Sequence, residues 1–205
     1  MEIDDIILHT FLCDENFGYL ANPSAKDPEH KFMMPENNQP VLVYERDYMH
    51  DFLDSLKKAK DDGLIEPVIY SQGQEFYAKK LLEIVDPKAQ IFEHRFYQNA
   101  CYLFEHQAED IKVFVKDVSR FRNRDLRRVV LLDPKPLTFM LCPENGIPVL
   151  PFDAEFDSTA DLGEKEEYLF FVIDELKELI QLDDVRPHLT EKYQIKRTLK
   201  SSKLL

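Results

Sequence analysis

Three short apolar runs, each followed at once by polar or turn-forming residues, constrain this chain more than any other feature. They are Ile6 to Leu12, Val68 to Tyr70 and Val129 to Leu132. The third is unbroken up to Asp133, as a strand reads when both faces of its sheet are covered. The second passes through Ser71, Gln72 and Gly73 into a helical stripe of Phe76, Tyr77, Lys80, Leu81 and Ile84, which Asp86 and Pro87 end. Strands alternating with helices predict an α/β domain of three layers with a mainly parallel central sheet and right-handed crossovers. In such sheets ligands sit beyond the carboxyl ends of the strands, which singles out His9 to Asp14, Ser71 to Gly73 and Asp133 to Pro136.

Other segments fill in the pattern. Residues 22–39 hold three prolines and no periodicity, and read as a long loop before a short strand at Val41 to Tyr44. Tyr48 to Lys60 sets Phe52, Leu53, Leu56 and Ala59 on one helical face, with Gly63 where a helix stop belongs. Ile91 to Phe96, Cys101 to Phe104 and Lys112 to Val115 read as short strands, some of them forming a small β insertion. Glu164 to Leu182 reads as the longest helix, with Tyr168, Phe171, Val172, Leu176, Leu179 and Ile180 facing inward.

At 205 residues the chain can close one substantial core, expected over 1–185, with a basic tail at 186–205. Its longest purely apolar stretch is Tyr168 to Ile173, far too short to span a membrane. A net charge of −13 argues against nucleic acid and favours basic peptides as partners. Cys13, Cys101 and Cys142 form no CxxC and suggest neither a disulfide framework nor a zinc site. The histidines show no HExxH spacing, and the five glycines form no phosphate-cradling loop. No Lys or Arg precedes Lys26, so no presequence is visible.

Six ordered blocks carry a resemblance. They are VYERDYMHDFL at 43–53, VIYSQGQEFYA at 68–78, LLEIVDP at 81–87, HRFYQNACY at 94–102, VKDVSRFRNRDLRRVVLLD at 115–133 and PENGIP at 143–148. Together they resemble the NIF-like family of phosphatases acting on the C-terminal domain of RNA polymerase II, within the haloacid-dehalogenase superfamily. The resemblance implies a haloacid-dehalogenase-like fold. It also implies a phosphoryl-transfer site: an Asp nucleophile ending the first strand, a general-acid Asp two residues later, and a Ser or Thr holding phosphoryl oxygens. A lysine neutralises charge and acids after a later strand hold Mg²⁺. By that resemblance Ser71 is the hydroxyl residue, Lys116 the lysine and Asp133 the first of the metal-binding pair, while the second falls on Pro134, which offers no side-chain oxygen.

The DxDxT signature of the first strand is absent, and two registers compete for it. One places Glu2, Asp4 and Ile6 at the three positions, with no strand before Glu2 to hold it. The other takes Ile6 to Leu8 as the buried strand and places His9, Phe11 and Cys13 there, which is the better fit to a central strand. Neither supplies the Asp nucleophile. Ser71, Lys116 and Asp133 are therefore expected to be vestigial positions of a catalytically inactive domain, with no cofactor and no metal.

Loss of the nucleophile resembles the mitochondrial branch of the family, the receptor subunit of the inner-membrane presequence translocase. This implies a binding or structural subunit of a mitochondrial inner-membrane assembly, of that receptor type or accessory to a respiratory complex. Its partners would be other protein subunits and basic presequence peptides. The alternative is an active metal-dependent phosphoserine/phosphothreonine protein phosphatase working through Glu2 and Asp4.

Overall fold

The apolar runs do become strands, but they are organised around the first residues of the chain rather than around Ile6 to Leu12. The computed structural model describes residues 1–13, 27–106, 111–154 and 167–201. In chain order these hold β1 (Leu8–Leu12), β2 (His30–Met33), β3 (Pro40–Glu45), α1 (Met49–Asp61), β4 (Val68–Tyr70), α2 (Glu75–Val85) and β5 (His94–Phe96). There follow β6 (Tyr102–His106), β7 (Ile111–Val115), β8 (Leu131–Asp133), β9 (Gly146–Pro148), α3 (Tyr168–Ile180), α4 (Arg186–Tyr193) and α5 (Ile195–Ser201).

β4 and β5 pair in parallel, as do β8 and β9. Met1 to Ile3 joins the two pairs. The Tyr70 N–H donates to the Met1 carbonyl at 2.9 Å, and the Glu2 N–H donates to the Leu132 carbonyl at 3.0 Å. The central layer therefore runs β5, β4, residues 1–3, β8, β9, parallel as predicted.

The register that made Ile6 to Leu8 the central strand, with His9, Phe11 and Cys13 at its end, is corrected here. β1 is instead the edge of an antiparallel sheet of order β1-β3-β2, with Leu8 opposite Glu45 and Leu12 opposite Val41. The reason lies in a tight turn at Asp5, whose φ of 59° is left-handed and whose N–H donates to the Leu8 carbonyl at 2.7 Å. An aspartate tolerates that conformation. The turn lets Ile3, Ile6, Ile7 and Leu8 all bury without forming one strand.

β2 lies within the segment 22–39 expected as loop, and residues 22–26 of that segment fall outside the described residues. β6 and β7 form an antiparallel hairpin, matching the expected insertion. Gly63 ends α1 with φ 71° as its position in the sequence suggested.

The helices cover the layers as their stripes require. α1 buries Met49, Phe52, Leu53 and Leu56 and packs on α3, which buries Leu169, Val172, Ile173 and Leu179. α2 buries Ala78, Leu81, Leu82 and Val85. After it, the Asp86 carboxylate accepts from the N–H groups of Gln90, Ile91 and Phe92 at 2.8 to 3.1 Å, closing the turn into β5.

The stretch expected as a basic tail folds, as far as Ser201, into α4 and α5. Leu189, Ile195 and Leu199 are buried, the last two in a second apolar cluster with Val118, Leu131, Phe139 and Cys142. Buried Glu175 of α3 accepts from Lys192 and pairs with His188 at 3.1 Å, tying α4 to α3. Lys196, Arg197 and Lys200 are exposed while Leu189, Ile195 and Leu199 are buried.

Candidate active site

At the carboxyl ends of the central strands, four segments bring polar side chains into a space with almost no exposure. Glu2 arrives on residues 1–3, Ser71 follows β4, Lys116 follows β7 and Asp133 ends β8. All four are buried, Lys116 and Asp133 completely. Such charges are tolerated only when they pair and hydrogen-bond. Lys116 Nζ donates to Glu2 Oε2 at 2.8 Å and to Asp133 Oδ2 in a shorter contact, with the Tyr70 ring beneath it at 5.8 Å.

The backbone completes the arrangement. Glu2 Oε2 also accepts from the Gln72 N–H at 2.9 Å, and Oε1 accepts from the Ile3 N–H at 3.0 Å. Asp133 Oδ1 accepts from the Lys135 N–H at 2.9 Å. Ser71 Oγ accepts from the Gly73 N–H at 3.0 Å, a contact that leaves its own hydrogen available. Gly73 has to be a glycine, because a Cβ there would lie 2.7 Å from the Tyr77 ring.

Two residues beyond Glu2, the Asp4 carboxylate accepts from Tyr77 Oη and, at 3.1 Å, from Thr10 Oγ1; the two hydroxyls are themselves 2.6 Å apart. Tyr77 rides on α2 and Thr10 on β1, so both layers hold this carboxyl.

Electrostatics separate the three acids. Burial alone would raise Glu2, but the charge and hydrogen bond of Lys116 and the two backbone N–H donors outweigh it and hold Glu2 down at about 2. For Asp4 burial wins over the Tyr77 and Thr10 hydrogen bonds, and with the charges of Glu2 and Asp5 nearby the carboxyl is raised to about 6. Burial also raises Asp133, with Glu2 adding to the effect and Lys116 opposing it. Burial would lower Lys116, but Glu2 and Asp133 together raise it, so the ammonium is fixed. The site thus holds a charged carboxylate, Glu2, next to one that retains its proton into mildly acidic solution, Asp4.

Of the residues singled out from the sequence, Lys116 and Asp133 meet directly and Ser71 joins them through Gln72 and Glu2. Glu2, Asp4, Thr10 and Tyr77 are the additions. The ExD spacing of Glu2 and Asp4 is visible in the sequence as the first of the two registers, and the bonds of residues 1–3 to β4 and β8 hold Glu2 in place. His9, which the other register placed at the nucleophile position, instead bonds Asp5 at 2.7 Å.

The donor set suits a hard divalent cation. Glu2 and Asp133 are the carboxylates of the site, and the oxygens that face each other, Oε2 and Oδ2, are bridged by the Lys116 ammonium rather than left open to a cation. Pro134 adds no side-chain oxygen, yet Mg²⁺ commonly keeps several waters and needs only one or two carboxylates.

Residues 1–186 match the model of the NLI interacting factor-like phosphatase family. The chain belongs to this family. It is 32% identical over 186 residues to the mouse carboxy-terminal domain RNA polymerase II polypeptide A small phosphatase 2, which covers 90% of this chain and 58% of the mouse protein. It is 31% identical over 136 residues to the mitochondrial import inner membrane translocase subunit TIM50 of Candida glabrata, covering 65% of this chain and 24% of that protein. The structure of Fcp1, an essential RNA polymerase II CTD phosphatase, superposes with a TM-score of 0.54 at 18% identity over 88% of this chain and 49% of that one, which shows the shared haloacid-dehalogenase-like fold. The chain thus spans little more than half the length of the mouse phosphatase and a quarter of the translocase subunit.

The expectation of a catalytically inactive domain is corrected by these findings. The relative with the higher identity and the wider coverage is named a phosphatase, as is the solved structure that shares the fold. The premise behind that expectation was a missing nucleophile, and a buried carboxylate, Glu2, stands beside Lys116. Similarity to a mitochondrial protein is present but narrower. No helix among the described residues is long and apolar enough to cross a membrane.

Proposed function

We propose that this chain is the catalytic domain of a phosphatase that removes phosphate from phosphoserine or phosphothreonine in proteins, with Glu2 as nucleophile and Asp4 as general acid. The observation that carries the reading is the Glu2 carboxylate, held at Oε2 by Lys116 and the Gln72 N–H, with Asp4 two residues on and fixed by Tyr77 and Thr10. A carboxylate and a proton-bearing acid at that separation are the two groups that phosphoryl transfer through a covalent intermediate needs.

In the first step a Glu2 oxygen bonds to phosphorus as the P–O bond to the substrate hydroxyl breaks, and Asp4 gives its proton to the departing oxygen. In the second, water attacks the acyl phosphate, Asp4 takes a proton from that water, and inorganic phosphate leaves with Glu2 restored. Lys116 offsets the charge that builds on the phosphoryl oxygens, and the Ser71 hydroxyl donates to one of them. Glu2 and Asp133 are the residues that would hold a divalent cation. That cation, when bound, screens the nucleophile from the phosphate charge.

The test is turnover of an aryl phosphate and of phosphoserine peptides by purified protein with added Mg²⁺. Release of phosphate that Glu2→Gln and Asp133→Asn each abolish supports the reading. Wild-type protein that stays at the blank rate on every substrate, with and without Mg²⁺, overturns it.

A place at the mitochondrial inner membrane, among other protein subunits or basic presequence peptides, is supported by the similarity to the translocase subunit and by the net charge of −13. Fractionation of cells expressing the tagged protein tests it; recovery outside mitochondria overturns it.

A further inference from the structure

The loop from Ser71 to Gly73 leaves none of its backbone polar groups idle. The Ser71 N–H donates to the Phe96 carbonyl at 2.9 Å, the Gln72 N–H to Glu2 Oε2 at 2.9 Å and the Gly73 N–H to Ser71 Oγ at 3.0 Å. On the acceptor side, the Cys101 thiol meets the Ser71 carbonyl at 3.8 Å, Gln98 Nε2 donates to the Gln72 carbonyl at 3.1 Å, and the Gln98 N–H donates to the Gly73 carbonyl at 3.0 Å. Gln98 thus grips the loop twice, from the short turn at Gln98–Ala100. With every donor and acceptor of these three residues engaged, the loop cannot slide without breaking several bonds at once.

One side chain carries this order across to the lysine. Gln72 Nε2 donates to the carbonyl of Phe114 on β7, two residues before Lys116. Backbone groups two residues apart in an extended chain point to the same side, and the Lys116 N–H donates to the Thr138 carbonyl at 3.0 Å. The end of β7 is therefore fastened at two neighbouring points, by Gln72 to the loop after β4 and by Thr138 to the segment after β8. These ties matter because the other edge of β7 is taken by β6, in a hairpin that forms its own two-stranded sheet apart from the central layer.

Ser71 and Lys116 have to serve one phosphoryl group, the hydroxyl at one oxygen and the ammonium at the charge that builds on the others. They come from different segments, so their separation is only as fixed as the link between those segments. An error of about 1 Å in such a placement costs on the order of a hundredfold in rate.

We propose that Gln72 is a positioning residue of this site, its side-chain amide setting the Ser71 hydroxyl against the Lys116 ammonium. The role rests on the phosphatase reading. Gln72 acts through the loop and through β7, with Gln98 as its brace.

Gln72→Met keeps the length of the side chain and removes the donor. Phosphate release with Mg²⁺ is expected to show kcat lowered by about tenfold to a hundredfold with KM within about twofold, because the binding groups remain but are displaced from where the transition state needs them. A double-mutant cycle with Ser71→Ala separates positioning from general loosening: once the hydroxyl is gone, Gln72→Met is expected to cost no more than about threefold. Full additivity of the two changes, or wild-type kcat in Gln72→Met, overturns the role. Amide exchange followed by NMR reads the strut without turnover, and the Gln72 and Gly73 amides are expected to exchange about tenfold faster or more in Gln72→Met. Unchanged exchange at both amides overturns the strut even in an active enzyme. Wild-type protein at the blank rate on every substrate, with faster exchange in the variant, overturns the phosphatase reading and the catalytic role of Gln72 with it, while the strut itself stands.

Discussion

Glu2 and Lys116, 114 positions apart in the chain, share a buried hydrogen bond of 2.8 Å, and the same ammonium also contacts Asp133. One cation between two carboxylates leaves a net negative charge in a closed space. It is stable because backbone N–H groups of Ile3, Gln72 and Lys135 take the remaining lone pairs.

Glu2→Gln keeps the shape and an oxygen for the Gln72 N–H but removes the nucleophilic charge. Turnover is expected to fall by about a thousandfold or more. Steady-state phosphate release, with the melting temperature measured in parallel to exclude unfolding, checks this. A variant that retains a tenth of wild-type activity would remove Glu2 from the chemistry.

Lys116→Met preserves the volume of the side chain but strands two buried carboxylates. A loss of about 3–5 kcal/mol is expected from breaking such a pair from one side. Urea unfolding at neutral pH measures it. At low pH, where both acids carry protons, the difference from wild type is expected to shrink.

His9 illustrates a pH effect of the opposite kind. Burial pulls its pKa down, but the hydrogen bond and charge of Asp5, with Asp153 and Asp4 adding, raise it overall. A histidine raised in the folded state contributes stability that is complete below its unfolded value of about 6.5 and lost as pH rises through the folded value. Asp5→Asn tolerates the left-handed backbone, so it isolates this charge. The destabilisation it causes is expected to be larger at acidic than at alkaline pH, and the His9 ring protons are expected to titrate lower. Equal destabilisation at both ends would contradict the assignment.

Gly146 tests the packing of α5. A Cβ at this position would come within 2.5 Å of the Phe139 ring and 2.7 Å of Ile195 Cδ1. Gly146→Ala is expected to destabilise by about 1–3 kcal/mol, the usual range for overpacking. Amide exchange in α5 should accelerate with it, while Ile195→Ala in the same background should restore part of the loss.

Much of the architecture was legible in residue order. Val68 to Tyr70 followed by Ser71 and the α2 stripe, and the apolar run before Asp133, signal parallel strands because continuous apolar residues suit a sheet covered on both faces. Lys116 and Asp133 were legible through their blocks. Glu2 and Asp4 were legible as a spacing but not as the site's register, because the position of Glu2 depends on hydrogen bonds to Val68, Tyr70 and Leu132, remote in the chain. The α5 helix was hidden for a similar reason. Its lysines and arginine dominate its composition, while two buried side chains, Ile195 and Leu199, decide where it goes.

By itself the amino-acid order determined the family, the alternation of strands and helices, and the identity of three polar residues at strand ends. These are properties of short segments, set by backbone preference and side-chain periodicity. Only the tertiary structure decided which carboxylate stands at the centre, and that burial raises Asp4 while Lys116 and backbone N–H groups hold Glu2 down. Those depend on distances between segments far apart in the chain, where burial and a shared ammonium set the charge state of each group.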